Sequence, residues 1–214
     1  MFFDSLFEAR LLKKENEKLL FRNLTLLKEI LSLKNIQQEN KALRQALNLR
    51  EKREFELSLV ELISKETGRD FILVDGGKNQ GISENMPVIT ENGVLVGKTK
   101  EVFSDFSEVI LITAQKSVFD IEIQNEENSL GIARGKGNLR IEFELVLKEN
   151  KIEQGDIVQT TSLGGNFPKG LLVGEIEEIR KSETDPYQEG VIRAYFRELK
   201  LRQLFIIKNF KVLE

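Results

Sequence analysis

Between Asp4 and Glu56 the chain contains no glycine and no proline. Leu, Lys, Glu, Arg, Asn and Gln dominate the stretch, most of them favour helix, and nothing in it breaks one. A continuous helix of this length runs roughly 75 Å at 1.5 Å per residue. That extends well beyond a domain built from the rest of the chain, so much of its apolar stripe needs another chain to cover it.

The stripe has a heptad order. Asn16, Leu19, Asn23, Leu26, Ile30 and Leu33 alternate spacings of three and four, placing Asn16, Asn23 and Ile30 at a, and the three leucines at d. Ile36 arrives three residues later instead of four, and the pattern resumes through Asn40, Leu43 and Leu47. Two successive spacings of three mark a stammer, which overwinds a left-handed coil locally. An asparagine at a costs stability in an apolar seam because its amide needs a partner. In a parallel two-stranded coil the same residue of the second copy supplies it, so Asn16, Asn23 and Asn40 specify register and strand number. The pattern predicts a parallel homodimer. The competing reading has these asparagines facing water on a helix packed against its own domain.

After Glu56 the period changes. A strand-like stretch starts around Phe55, Leu57 and Leu59 and continues through Val60 and Leu62. Short β-branched or aromatic runs then recur at 71–75, 86–90, 93–102, 108–112, 118–123, 131–134, 139–147, 157–161, 170–179, 190–194 and 204–208. Turn residues separate them, including Asp75-Gly76-Gly77 and Glu91-Asn92-Gly93, and strands at this spacing predict small barrels or sandwiches. Phe143, Leu145 and Leu147 alternate with Glu142, Glu144 and Lys148, which predicts one buried face. Residues 81–102 and 152–179 repeat one another: Ile82, Val88, Thr90, Gly93, Val96 and Gly97 align with Ile152, Val158, Thr160, Gly170, Val173 and Gly174. The repeat predicts two related β-modules, with a tight hairpin at Asn92-Gly93 and bends at Gly97 and Gly174.

Composition removes several chemistries. Histidine and cysteine are both absent, so no imidazole base, no Cys-His device and no His/Cys zinc site can be built. No metal, cofactor or small-molecule substrate is expected. Ser162 and Lys169 form a conceivable Ser-Lys dyad, but a loop between hairpin strands explains the same residues. Gly131 to Gly137 lacks the Lys-Ser/Thr of a phosphate loop and reads as a tight turn. Glu122, Glu126 and Glu127 lack an EF-hand spacing and read as solvated carboxylates. Residues 1–56 hold 12 Lys/Arg against 9 Asp/Glu, a slightly basic helix surface that calls for no nucleic-acid partner. No run of about 18 apolar residues is present, so the sequence contains no membrane-spanning helix.

Together these pieces resemble the bacterial rod shape-determining protein MreC family from about residue 15 onward. Glu39-Asn40-Lys41-Ala42-Leu43-Arg44 is similar to the family's E-N-x-x-L-R at the end of its coiled coil, and Glu15-Asn16 to an earlier E-N. Leu73-Val74-Asp75-Gly76-Gly77, with Gly81-Ile82 after it, resembles the opening of the family's first barrel. Gly93-Val94-Leu95-Val96-Gly97 resembles its G-L-V-G hairpin. Most specific is the run from Gly155-Asp156-Ile157-Val158 through Thr160-Thr161-Ser162 to Phe167-Pro168-Lys169-Gly170 and Val173-Gly174. It is similar to G-D-x-V-x-T-S-G…F-P-x-G-L-P-V-G, with Leu163 and Leu172 standing where the family often has Gly and Pro.

The resemblance implies a mainly β chain behind a long N-terminal α-helix, a coiled-coil stalk followed by two small β-barrels. Expected units are 1–56 as the dimerising helix, 57–102 with about 185–214 as a discontinuous first barrel, and 103–184 as the second. It implies a non-enzymatic scaffold of cell elongation on the extracytoplasmic, periplasmic side of the inner membrane, anchored by an N-terminal helix not present in this chain. The implied partners are a second copy, higher self-assemblies, the elongation penicillin-binding protein (a transpeptidase), MreD and the MreB system. The loop Gly164-Gly165-Asn166-Phe167-Pro168 is a candidate partner contact, with Phe167 either an exposed anchor or a plug of its own barrel. Two rivals stand beside this reading: a periplasmic adaptor of an efflux or secretion assembly, and a degenerate protease-like barrel retaining hydrolysis.

Overall fold

The computed structural model describes residues 2–46, 55–65, 70–182 and 184–210. They divide into a helical unit and a β unit. The helical unit is one α-helix, α1 (Phe2–Ala46), unbroken across the stammer. The expected continuation to Glu56 falls mostly outside the described residues.

In the β unit twelve strands close into two six-stranded antiparallel barrels. The first contains β1 (Leu57–Lys65), β2 (Phe71–Val74), β3 (Pro87–Ile89), β4 (Leu95–Val102), β5 (Ser107–Leu111) and β12 (Gln203–Ile207), in the order β1-β12-β3-β4-β5-β2. The second contains β6 (Val118–Gln124), β7 (Ser129–Gly137), β8 (Arg140–Leu147), β9 (Ile157–Thr160), β10 (Leu172–Lys181) and β11 (Tyr187–Ala194), in the order β10-β11-β8-β7-β6-β9. The second barrel is thus inserted between β5 and β12 of the first.

Two strands lie in the other barrel from the one expected. Gly190–Ala194, in β11, was expected to return to the first barrel; it pairs with β10 and β8 instead. β5, placed with the second module by the 103–184 boundary, pairs with β4 and β2 of the first. The physical reason is the same in both cases. A strand that follows its predecessor through a short turn pairs with it at little loop-closure cost, and the expected boundaries cut two such hairpins.

The internal repeat is a repeat of hairpins. Thr90, just after β3, and Thr160, the last residue of β9, turn their hydroxyls to the returning strand. Thr90 Oγ1 accepts from the Val94 N–H at 3.2 Å and Thr160 Oγ1 from the Leu171 N–H at 3.0 Å. Gly93 and Gly170 occupy matching turn positions at φ +73° and +91°, where a Cβ is disfavoured. Gly97 and Gly174 each sit where the neighbouring strand crosses closely: a Cβ there would lie 2.1 Å from the Ile110 or the Arg193 carbonyl oxygen. The two hairpins also touch, through the Leu172 N–H donating to the Gly93 carbonyl at 3.1 Å.

Both barrels are filled. Val60, Ile72, Leu204 and Ile206 are buried in the first, and Phe119, Ile121, Phe143 and Ile192 in the second. The expected face Phe143, Leu145, Leu147 is broken: Phe143 is buried, but Leu145 and Leu147 are exposed and Val146 takes the inner position. Leu145 has φ +61°, and the β8–β11 register shifts between Gln188 and Gly190. A bulge adds one residue, so every later side chain changes face. Gly131 to Gly137 is likewise strand rather than turn; the turn follows, at Asn138 and Leu139, both at positive φ. Position 135 of β7 takes glycine because a Cβ there would meet the Ala114 carbonyl oxygen at 2.1 Å.

Candidate interaction surfaces

The heptad positions of α1 form a surface, not a pocket. In the single chain Leu19, Leu26, Ile30, Leu33 and Ile36 are 50–64% exposed, and Asn16 and Asn23 lie exposed among them. Asn40 and Leu43 lie on the same helix, their side chains outside the described residues; Leu47 lies outside those residues altogether.

The loop 161–170 is built inward. Phe167 is 4% exposed and meets Phe119 edge-on, ring centroids 5.3 Å apart at 88°. Pro168 is buried as well, with its carbonyl accepting from Thr160 Oγ1 at 2.6 Å. Gly165 is buried, Asn166 half-buried, and Gly164 presses on Asp120, whose Oδ2 would lie 1.9 Å from an added Cβ. Phe167 is therefore the plug of its own barrel and not an exposed anchor; a benzyl group gains more from an aromatic-lined interior than from water. The apolar group that the loop presents to solvent is Leu163.

Lys169 fastens this loop to β6. Its Nζ donates to Glu122 Oε2 at 2.8 Å, while Gln159 and Gln124 donate to Glu122 Oε1 at 3.0 and 2.8 Å. Burial alone would raise the Glu122 carboxyl. The three hydrogen bonds and the nearby ammonium outweigh it and hold the group below its ordinary range. Lys169 thus serves a carboxylate across the hairpin, not the exposed hydroxyl of Ser162, and Glu122 is a structural group, not the solvated carboxylate expected.

Two apolar features of the first barrel went unread in the sequence. At the β4–β5 turn, Phe103 and Phe106 stack with centroids 4.4 Å apart at 17°, both more than a third exposed. The turn is held hard. The Lys78 and Asn79 N–H groups donate to the Phe103 and Ser104 carbonyls at 2.8 and 3.0 Å, and Asn79 Nδ2 donates to Asp105 Oδ1 at 2.8 Å. A Cβ at Gly77 would lie 2.4 Å from the Ser104 carbonyl oxygen, so the clamp fits only glycine. The pair borders an open depression of about 640 Å³ with Lys78, Glu84 and Glu101. On β1, Leu57, Leu59 and Ile63 point outward and are exposed. The signal for the first feature was two phenylalanines flanking Ser104-Asp105; for the second, Leu57 and Leu59 at alternate positions, with Ile63 on the same face beyond Glu61.

Among the described residues no cluster of three or more His, Cys, Asp or Glu side chains is placed to hold a metal ion. Among them, too, no helix is long and apolar enough to cross a membrane.

An exposed heptad helix and two side-chain-filled barrels joined hairpin to hairpin define a double-barrel class of helix-bearing proteins. A family model described as rod shape-determining protein MreC, barrel core, matches residues 62–208. The chain belongs to the MreC family. Cell shape-determining protein MreC of Listeria monocytogenes is 26% identical over 182 residues, covering 82% of this chain and 61% of that protein. This chain therefore spans less than two thirds of that relative's length. Among solved structures, MreC of Listeria monocytogenes superposes with a TM-score of 0.80 at 24% identity, covering 94% of this chain and 98% of that one. The major periplasmic domain of the cell shape-determining filament MreC gives 0.61 at 21%, covering 74% and 98%. MreC from Helicobacter pylori, solved in a complex with penicillin-binding protein PBP2, gives 0.54 at 20%, covering 72% and 100%. At these identities the three structures establish the fold.

Proposed function

We propose that the chain is a non-enzymatic scaffold of the bacterial cell-elongation machinery, which dimerises through α1 and organises peptidoglycan synthases to maintain rod shape. The observation that carries this reading is the uncovered heptad row on α1, with Asn16 and Asn23 among its apolar residues. Buried side chains fill both barrel interiors, and a chain without histidine has no imidazole base. In this reading residues 1–56 are the dimerising unit and the barrels carry the docking surfaces. Family membership and the PBP2 complex of the Helicobacter pylori relative support a penicillin-binding transpeptidase as partner. MreD and the MreB system follow from family membership alone. The relative described as a periplasmic domain and a filament supports an extracytoplasmic location and further self-assembly; attachment to the inner membrane through an N-terminal helix belongs to the same proposal.

Sedimentation of the chain with and without residues 1–50 tests it. The expected result is a dimer that becomes monomeric on trimming. A chain that is already monomeric at high concentration would remove the basis of the scaffold.

A further inference from the structure

The proposed seam uses only part of the apolar surface of α1. Leu20, Leu24, Leu27 and Leu31 form a second row, spaced four, three and four, and are 49–65% exposed. At 100° per residue this row centres about 110° round the helix from the seam. In the seam's heptad the four leucines fall at e and b, beside and outside the strip that a two-stranded coil encloses.

The row reads the same from both ends. Glu17 lies three residues before Leu20, and Lys34 three after Leu31; both are exposed. When a second copy is laid antiparallel with Leu24 opposite Leu27, Leu20 falls opposite Leu31. Glu17 then faces Lys34, and Lys34 faces Glu17. Parallel, in-register pairing would instead set Glu17 against Glu17 and Lys34 against Lys34. Each exposed pair is weak, but like charges set opposite one another penalise the wrong orientation.

We propose that Leu20, Leu24, Leu27 and Leu31 form a second self-association surface, which joins two-stranded coils side by side and antiparallel, the occupant being another copy of this chain. The inference rests on the two-stranded coil proposed above. The two helices of such a coil are related by a two-fold axis along its length, so the row occurs once on each flank. Every joint leaves a further row free, and growth does not close.

The experiment uses the full chain. In sedimentation velocity over a wide concentration range, species larger than the dimer are expected to appear as concentration rises. Leu24→Lys with Leu27→Lys should leave the dimer intact and weaken the larger species by roughly tenfold or more, since each leucine loses its apolar burial. Orientation is read by cross-linking, which is clean because the chain has no cysteine. Lys13→Cys and Gln38→Cys chains, mixed and treated with a short bis-maleimide, should join 13 to 38. A wild-type chain that stops at the dimer overturns the proposal. So do larger species that survive the double lysine variant, loss of the dimer itself in that variant, or cross-links only of 13 to 13 and 38 to 38. Leu26→Lys reads the seam separately: a dimer indifferent to it defeats the coil reading, and the side-by-side assembly with it.

Discussion

Replacing Phe167 with alanine separates a plug from a docking anchor. The ring is 4% exposed and rests edge-on against Phe119 inside the second barrel. Removing it deletes a fully packed aromatic side chain, and such changes cost about 3–5 kcal/mol, part of it the cavity left behind. The edge-on pair alone accounts for roughly 0.5–1.5 kcal/mol of that. Relaxation is limited, because the loop is tied at Thr160 to Pro168 and at Glu122 to Lys169. Phe167→Ala should therefore destabilise the β unit by about 3–4 kcal/mol, a loss of several hundredfold in its folding equilibrium. Urea denaturation followed by far-UV circular dichroism measures it. Leu163→Ala, at 67% exposure in the same loop, is the control and should change stability by less than about 0.5 kcal/mol. A Phe167→Ala chain within about 1 kcal/mol of wild type would refute the plug and restore the loop to the candidate contacts.

Three further outcomes are expected. Gly174→Ala should destabilise the β10–β11 pairing by about 2 kcal/mol or more, since a Cβ 2.1 Å from the Arg193 carbonyl oxygen forces two backbones apart; Gly155→Ala, with open space around it, should show only the strain of its positive φ in the same denaturation experiment. The Glu122 carboxyl titrates lower in the folded than in the unfolded chain, so its contribution is complete above the ordinary value of 4.5 and is lost as pH falls through the folded value; between neutrality and pH 4.5 wild type should thus hold its margin over Glu122→Gln in thermal melting, and that margin should shrink only below it. Asn23→Leu should strengthen association of α1 while loosening its choice of register and strand number, seen as a mixture of oligomers in sedimentation where wild type gives one.

How much was legible beforehand differs by element. Every strand run read from turn residues and β-branched clusters corresponds to a strand, because those signals are local. The matching of Thr90 with Thr160 and of Gly97 with Gly174 anticipated two related hairpins; that both threonine hydroxyls accept from the returning strand, across connections of different length, came from the structure. Assignment of β5 and β11 to their barrels failed, because pairing depends on which neighbour closes the shorter loop and not on a strand's own composition. The phase of β8 failed at Leu145 for a similar reason: one bulge residue, with φ +61°, is invisible to a count of alternate positions. Phe167 was legible as an aromatic in a loop but not as inside or outside, and the Phe103–Phe106 stack emerged only once the β4–β5 turn brought the rings together.

The sequence by itself determined that α1 is long and unbroken, that its leucines recur on heptad spacing, that imidazole and thiol chemistry are absent, and that two glycine-marked hairpins repeat. These follow from residue type and short-range spacing, which act before any long-range contact forms. Only the tertiary structure decided which strands close each barrel, which way Phe167 and Leu145 face, and that Lys169 is committed to Glu122. Those outcomes depend on strands and loops distant in the chain meeting at a few ångströms, where carbonyl oxygens, ring edges and charges select among arrangements that the local pattern leaves equivalent.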